Sequence, residues 1–516
     1  MLHGDLLGER ARLTPDKTAL VEVATGARYT YAELDARAVA AARVLRETLG
    51  LAKGDRFGLL AGNRVEFLDV FFGAPKAGVV LVPLGTRLTP HELEHVVRDS
   101  GMRGLVYGGD FAEPVAGLRQ LVSLEHTVAF DPPSASGDRR WADLVSALPP
   151  HPHWRRETCL PEEPYALLYT SGTTGKPKGV IVPSRMVAWN GYNTVACWQL
   201  REDDVSPIFT PLYHAGGLGA FLVPIVTIGG TIVLHRRFDA GEVWRTIERE
   251  RATVVLGVPT IWKLLMEAPE FRTVDLSHVR WFISGGAPLP EYIIEAYQAR
   301  GVVFKQGYGL TEVGVNCFAM TVEDSVRKKG SIGKPLMFTE TRIVDAEGRD
   351  VPTGEVGELL LWGPHVSRGY WRNPEATTAA LDDDGFFHTG DLARKDAEGF
   401  HFIAGRKKDM LISGGVNVYP AEIEAELLLH PGVEDAAVAS APDPTWGEVG
   451  VAFVVPRPGA SLDGAELGAH LEKRLARYKI PKDWVFLDAL PRTPYGKVVK
   501  ADLQARYEKR RKGEGS

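Results

Sequence analysis

The eleven residues Tyr169-Thr-Ser-Gly-Thr-Thr-Gly-Lys-Pro-Lys-Gly179 combine three glycines, four serine or threonine hydroxyls and two lysines. Gly172, Gly175 and Gly179 permit tight turns and close approach of the backbone to a ligand. Thr170, Ser171, Thr173 and Thr174 add hydroxyl donors, and Lys176 and Lys178 add positive charge. Backbone amides, hydroxyls and ammonium groups converging in this way make a cradle for polyphosphate. The spacing is not that of a Walker A loop. That motif needs four residues between its glycines and Ser or Thr after its lysine, whereas two residues separate Gly172 from Gly175 and Pro177 follows Lys176.

Such a loop needs a rigid strand behind it, and the apolar segment Tyr165–Tyr169 supplies one. The chain around it alternates helix-like and strand-like segments. Apolar residues at helical spacing (Leu34, Ala38, Ala41, Leu45) predict a helix over 31–49, followed by a strand at 56–60, a helix at 66–76 and a strand at 79–83. The runs at 79–82, 231–234 and 254–256 read as inner parallel strands, apolar on both faces. The expected fold is α/β, with parallel-sheet subdomains in a large N-terminal domain. Gly-punctuated short strands over 340–405 predict a β-rich subdomain within it. A small, mobile α+β domain follows. Its expected elements are a helix at 420–430, strands at 433–440 and 450–455, and a helix at 466–478. The domains are placed at 1–407 and 408–516.

Composition narrows the function classes. The 516 residues are 44% hydrophobic and 24% charged, with a net charge of −6, which suits a soluble enzyme rather than a nucleic-acid binder. Cys159, Cys197 and Cys317 are far apart, which argues against a disulfide framework or zinc knuckle and fits the cytoplasm. No apolar run of signal-peptide form opens the chain. The uncharged stretch 215–234 carries five glycines and a proline and reads as buried strands and turns, so no transmembrane segment is expected. The basic stretch Lys509–Gly513 reads as a frayed tail. The oligomeric state is left open, a homodimer being one form the sequence allows.

The phosphate loop resembles that of the adenylate-forming superfamily, which includes acyl- and aryl-CoA synthetases, adenylation domains of peptide synthetases, and luciferases. Further landmarks recur in that family's order over nearly the whole chain. Ser284-Gly-Gly-Ala-Pro-Leu289 resembles the adenine-side loop, which implies nucleotide contacts at Gly285, Gly286 and Ala287. Gln306-Gly-Tyr-Gly-Leu-Thr-Glu312 resembles the next motif. The likeness implies adenine stacking on Tyr308 between Gly307 and Gly309, α-phosphate contact by Thr311, and Mg2+ on Glu312, a hard oxygen ligand. Thr389-Gly-Asp391 resembles the ribose site, with Arg406 beside it. Lys408 matches the family's hinge, and Lys497, after Pro494-Tyr-Gly, its catalytic lysine.

The implied function is ATP-dependent conversion of a small-molecule carboxylic acid to an acyl-adenylate, followed by thioester formation with coenzyme A. The resemblance also implies rotation of the small domain about Lys408, which withdraws Lys497 and brings in the hairpin 409–419. Gly414, Gly415, Trp446, Tyr478 and Lys479 then become the CoA-binding candidates. Pro211-Leu-Tyr-His214 resembles the motif beside the acyl pocket and makes His214 a catalytic-site candidate. It offers no aspartate for an amino-acid ammonium, so an uncharged tail is favoured. Trp189, Asn190, Gly257, Val258 and Gly314 are the expected pocket wall, with the small residues leaving room. A fatty acid is the first choice, an aryl acid of benzoate or cinnamate type the second. Loading of a carrier protein is the alternative to free CoA.

Overall fold

The computed structural model describes residues 5–132, 138–151, 154–170, 176–287, 289–493 and 497–511. A seven-stranded sheet carries the phosphate loop. Its order is Arg139–Arg140, His126–Ala129, Gly104–Tyr107, Arg56–Leu60, Val80–Pro83, Pro164–Thr170, Lys178–Pro183. All neighbours are parallel except the last pair. Its inner strands Val80–Pro83 and Gly104–Tyr107 are buried at every position, which is why the first of them reads as an unbroken apolar run.

The helix Tyr31–Arg43, continued by a π-helical turn Val44–Thr48, packs on the helix Val65–Lys76, which lies against the strand Val80–Pro83 of this sheet. Its start is fixed by a capping box: Glu33 N–H donates to Thr30 Oγ1 (3.2 Å) and Thr30 N–H to Glu33 Oε2 (2.7 Å). Lys76, itself buried, is neutralised by Asp5 and Asp35, both at 2.6 Å. A cavity of about 470 Å3 opens beside these ion pairs. Its charged walls are largely matched to one another, and none of its lining residues belongs to a nucleotide motif.

A second sheet pairs Val205–Ile208, Thr231–Leu234, Thr18–Glu22 and Arg28–Thr30, and a third, fully parallel, pairs Val254–Gly257, Trp281–Ser284 and Phe304–Gln306. The 340–405 region is β-rich, as expected. It forms the antiparallel sheet Glu340–Val344, Gly357–Trp362, Phe387–Lys395, His401–Arg406. Beyond it, the hairpin Leu411–Ser413/Val416–Val418, the strands Val433–Asp443, Gly447–Pro456 and Asp483–Phe486, and the helix Pro420–Leu428 enclose a separate apolar core.

Three expectations are corrected. Residues 216–228 are helical (Gly216–Leu222, then Val223–Ile228), and only Thr231–Leu234 is strand. Burial on all sides makes the two kinds of apolar run look alike in sequence. The helix placed at 466–478 is Gly464–Glu472, and Arg477–Lys479 is a separate 3-10 turn. Lys509–Arg511 close a helix, Lys500–Arg511, where basic residues complement the C-terminal dipole. Among the described residues, no helix is long and apolar enough to cross a membrane.

Candidate active site

The phosphate loop joins two antiparallel strands in which Thr170 pairs with Lys178 and Tyr169 with Gly179. Ser171, Gly172, Thr173, Thr174 and Gly175 lie outside the described residues. Both rims are anchored. Tyr169 Oη donates to Asp99 Oδ2 (2.5 Å), and His95 Nε2 bonds the Pro177 carbonyl (3.0 Å). A Cβ on Gly179 would lie 3.0 Å from the Tyr169 ring, so this glycine serves packing. Lys176 is exposed, and Lys178 Nζ sits 5.3 Å from the centre of the Tyr370 ring.

Beside the end of the Pro164–Thr170 strand, Thr311 and Glu312 form a 3-10 turn, Thr311–Val313, ended by Gly314 at φ +74°. Glu312 Oε1 accepts from Tyr370 Oη (3.1 Å) and from Thr170 Oγ1 (3.5 Å), so the turn faces the end of the loop strand. The Glu312 carbonyl is held by Ser367 N–H at 2.8 Å. Burial pushes the Tyr370 phenol up, and the Glu312 carboxylate adds to that rise.

Asp391 and Arg406 are cross-strand partners. Asp391 is 4% exposed; its Oδ1 meets Arg406 Nε at 2.6 Å and its Oδ2 accepts from Tyr308 Oη at 2.5 Å. Burial raises the Asp391 pKa, and the Arg406 guanidinium opposes that rise. The Tyr308 ring is fixed edge-on against Phe318, 5.6 Å between centres. Among the described residues, a Cβ on Gly285 would meet nothing nearer than the Gly307 carbonyl at 3.8 Å, and Gly286 has φ +83°. The chain at Gly285 is therefore open on the side of Gly307, the residue before Tyr308. Gly309 differs: a Cβ there would lie 2.4 Å from the Val315 backbone, so it is a close-packing position.

Lys497 enters this cleft from the small domain. Solvent reaches it, yet surrounding protein lowers its pKa, Arg406 and Lys408 add to the lowering, and Asp391 and Glu312 oppose it. Its charge is also felt at His214, whose pKa falls to about 3, chiefly through burial. His214 Nδ1 accepts from Gly216 N–H (3.1 Å), which assigns the ring proton to Nε2. Lys497, Glu312, Asp391, Arg406 and His214 thus share one cleft built from both domains. Lys263 Nζ and Glu434 Oε1, 2.5 Å apart, and Arg457 over the Tyr292 ring link the domains elsewhere. Sequence reasoning missed this pairing, since opposite charges far apart in a chain give no signal. It also missed Tyr370, whose hydroxyl reads in sequence as any half-buried tyrosine.

Lys408 lies in the 3-10 turn Lys407–Asp409 between the two domains' sheets. Lys407 is tied to Glu358 at 2.8 Å. In the small domain Gly414 N–H donates to the Trp446 carbonyl (2.8 Å), and a Cβ on Gly414, at φ +58°, would lie 2.8 Å from the Trp446 ring. Gly414, Gly415 and Trp446 are therefore neighbours, with Trp446 48% exposed. Tyr478 is exposed, while Lys479 is engaged by both oxygens of Glu422 at 2.7 Å.

The expected acyl wall is less roomy than its glycines suggest. A Cβ on Gly257 would lie 2.8 Å from the buried Trp262 indole, and one on Gly314 would lie 3.3 Å from Asn190 Oδ1. Both glycines accommodate neighbouring protein side chains instead of a ligand. Val258 is the side chain a Cβ on Gly286 would touch, at 3.7 Å, and Trp189 packs edge-on against Phe338 (5.0 Å) and Tyr192 (6.1 Å).

The AMP-binding enzyme family matches residues 7–371, and its C-terminal domain matches residues 422–497. The chain is 41% identical to a feruloyl-CoA synthase of Amycolatopsis sp, covering 96% of this chain and 97% of that one. It is 38% identical to the long-chain-fatty-acid–CoA ligase FadD13 of Mycobacterium tuberculosis, covering 98% of each. Among solved structures it resembles MatB of Rhodopseudomonas palustris over 98% of this chain and 99% of that one. The TM-score is 0.88 to the ATP-bound form (33% identity) and 0.80 to the apo form (34%). The arrangement of this chain is thus nearer to the nucleotide-bound one. With both its large part and its C-terminal part matched, the chain belongs to the AMP-binding enzyme family.

Proposed function

We propose that the protein is an AMP-forming CoA ligase whose acid is an aryl-substituted one. The carrying observation is the convergence of Lys497, from the small domain, with Glu312, Asp391, Arg406 and His214. A carboxylate is a poor electrophile, and joining it to AMP supplies a leaving group. In the first step the acid's carboxylate oxygen attacks the α-phosphorus of ATP and pyrophosphate departs. Negative charge builds on the α-phosphate and the leaving oxygens, where preorganised positive charge is most effective. Lys497 and the lysines of the loop supply that charge.

Asp391 would accept hydrogen bonds from the ribose hydroxyls, with Arg406 beside it, and the Tyr308 ring would lie against adenine. Hydrogen bonds from protein reach only Oε1 of Glu312 among the described residues. One carboxylate together with substrate phosphates is the donor set Mg2+ prefers, and no cluster of three or more acidic, Cys or His ligands competes among the described residues. Bound there, Mg2+ would neutralise phosphate charge. His214 is neutral at working pH and acts through Nε2–H as a hydrogen-bond donor, not a charge. In the second step CoA sulfur attacks the acyl carbon, the C–O bond to AMP breaks, and the thiol proton passes to solvent. Gly414, Gly415 and Trp446 would line the pantetheine path once the small domain has turned about Lys408.

The feruloyl-CoA synthase likeness supports an aryl acid over the fatty acid favoured from sequence. The test is AMP release with a panel of aryl and alkyl acids, with and without CoA. CoA-dependent AMP release with an aryl acid is the expected result. Acyl-adenylate without CoA-dependent turnover would favour a carrier-bound thiol, and no acid-dependent AMP at all would refute the ligase reading.

A further inference from the structure

Two asparagines on the helix Ser184–Trp198 stand out because their amides are buried without full protein partners. Asn190 is 4% exposed and Asn193 is 1% exposed. Asn190 Nδ2 donates to the Gly219 carbonyl at 2.6 Å, which fixes the orientation of its amide. Its Oδ1 then has no hydrogen-bond donor among the described residues, and neither Oδ1 nor Nδ2 of Asn193 has a partner among them. A buried amide left in this state is costly in a folded protein, which ordinarily pairs such groups.

Their location connects them with the reaction. Gly219 belongs to the helical segment that follows His214, and Gly314 follows Glu312 by two residues. Asn190 Oδ1 lies 3.3 Å from where a Gly314 Cβ would be. The amide therefore sits between the segment carrying His214 and the one carrying Glu312. Asn193 is one helical turn along the same side, about 5–6 Å away as i, i+3 neighbours are. Trp189 and Phe338, packed edge-on at 5.0 Å, add flat apolar surface next to the pair.

We infer that the acyl tail carries a hydroxyl group, and that Asn190 and Asn193 bind it and so select the acid. This rests on the CoA-ligase reading above. The direction of the bonds follows from the chemistry. The unpaired atom of Asn190 is its acceptor Oδ1, which needs a donor, and an ether or ketone cannot supply one. Asn193 offers both a donor and an acceptor, and so suits a hydroxyl or an oxygen next to it. A plain hydrocarbon tail would leave all three atoms unpaired, and the site would discriminate against it, as sites built to bond a substrate hydroxyl do.

The experiment is steady-state AMP release with CoA, comparing cinnamate with its three ring-hydroxylated isomers, and decanoate with 10-hydroxydecanoate. The best hydroxylated acid is expected to exceed its parent in kcat/KM by about 10- to 100-fold. Asn193→Leu should remove most of that advantage by raising KM for the hydroxylated acid, leaving the parent acid within about twofold; a merely structural role would slow both alike. Equal use of parent and hydroxylated acids by the wild-type protein would overturn the inference while leaving the ligase reading intact, and this comparison needs no variant to fold. Equal loss on both acids in Asn193→Leu would also overturn it. Failure of every acid to release AMP would instead bring down the ligase reading itself, and this inference with it.

Discussion

Lys497 is the residue on which the two half-reactions should part company. Lys497→Ala is expected to lower adenylate formation by about 100- to 1000-fold. Thioester formation from preformed acyl-adenylate should be largely spared, since the ammonium acts on the departing pyrophosphate step. Rapid-quench assays of each half-reaction check this, and equal loss in both would contradict it. The direction of the Lys497 shift adds a pH dependence. The useful form is the protonated one, and its folded pKa lies below the ordinary lysine value. Adenylation should therefore fall as pH rises through a value below the ordinary lysine one, and kcat/KM, which reports the free enzyme, should show that limb. Lys497→Arg should move the limb upward or abolish it. Little of this was legible from Lys497 alone, because a lysine near a C-terminus is ordinarily a surface charge. The Pro-Tyr-Gly-Lys sequence raised it only through its resemblance to a family. Asp391 and Arg406 were legible as motif members, but the Tyr308–Asp391 bond that joins two motifs was not, since it depends on the fold bringing residues 83 positions apart into contact.

At the scale of elements, the hairpin Leu411–Ser413/Val416–Val418 carries at its turn Gly414, proposed above to line the pantetheine path. Its φ of +58° and its 2.8 Å approach to the Trp446 ring both disfavour a side chain. Gly414→Val is expected to slow CoA-dependent turnover at least tenfold while leaving acid-dependent ATP–pyrophosphate exchange within about threefold, and comparing the two assays checks it. Strands were the most readable elements. Val80–Pro83, Thr231–Leu234 and Val254–Gly257 were found as apolar runs because both sheet faces are covered. The helical stretch Gly216–Ile228 was misread for the same reason: burial of most of its residues, with no charged side chain among them, erases the polar face that marks a helix. Gly257 and Gly314 were correctly seen as places without a side chain, but the space they leave is taken by Trp262 and Asn190. Which neighbour fills a gap is set by packing, and spacing along the chain carries no record of it.

For the whole molecule, stability should depend on pH through histidines held neutral. His235 and His401 are 1% and 2% exposed, and burial lowers the pKa of each to about 4. The unfolded chain, near 6.5, binds more protons than the native one between those values, so stability rises with pH across that window and is lost on acidification. From pH 7 to pH 5 each should cost roughly 2 kcal/mol, and thermal melts should record a falling midpoint. Replacing both with glutamine should reduce that dependence, the share of His214 remaining, and an unchanged slope would show that other groups govern it.

Assembly of one cleft from two domains also makes a chemical commitment: the acid's own oxygen must become bonded to phosphorus. The most direct measurement is isotopic. With both carboxylate oxygens of the acid labelled with 18O, turnover in the presence of ATP and CoA should leave one label in the phosphate of AMP, read by mass spectrometry, and none in pyrophosphate. Unlabelled AMP, or label in inorganic phosphate, would contradict adenylate formation at this site.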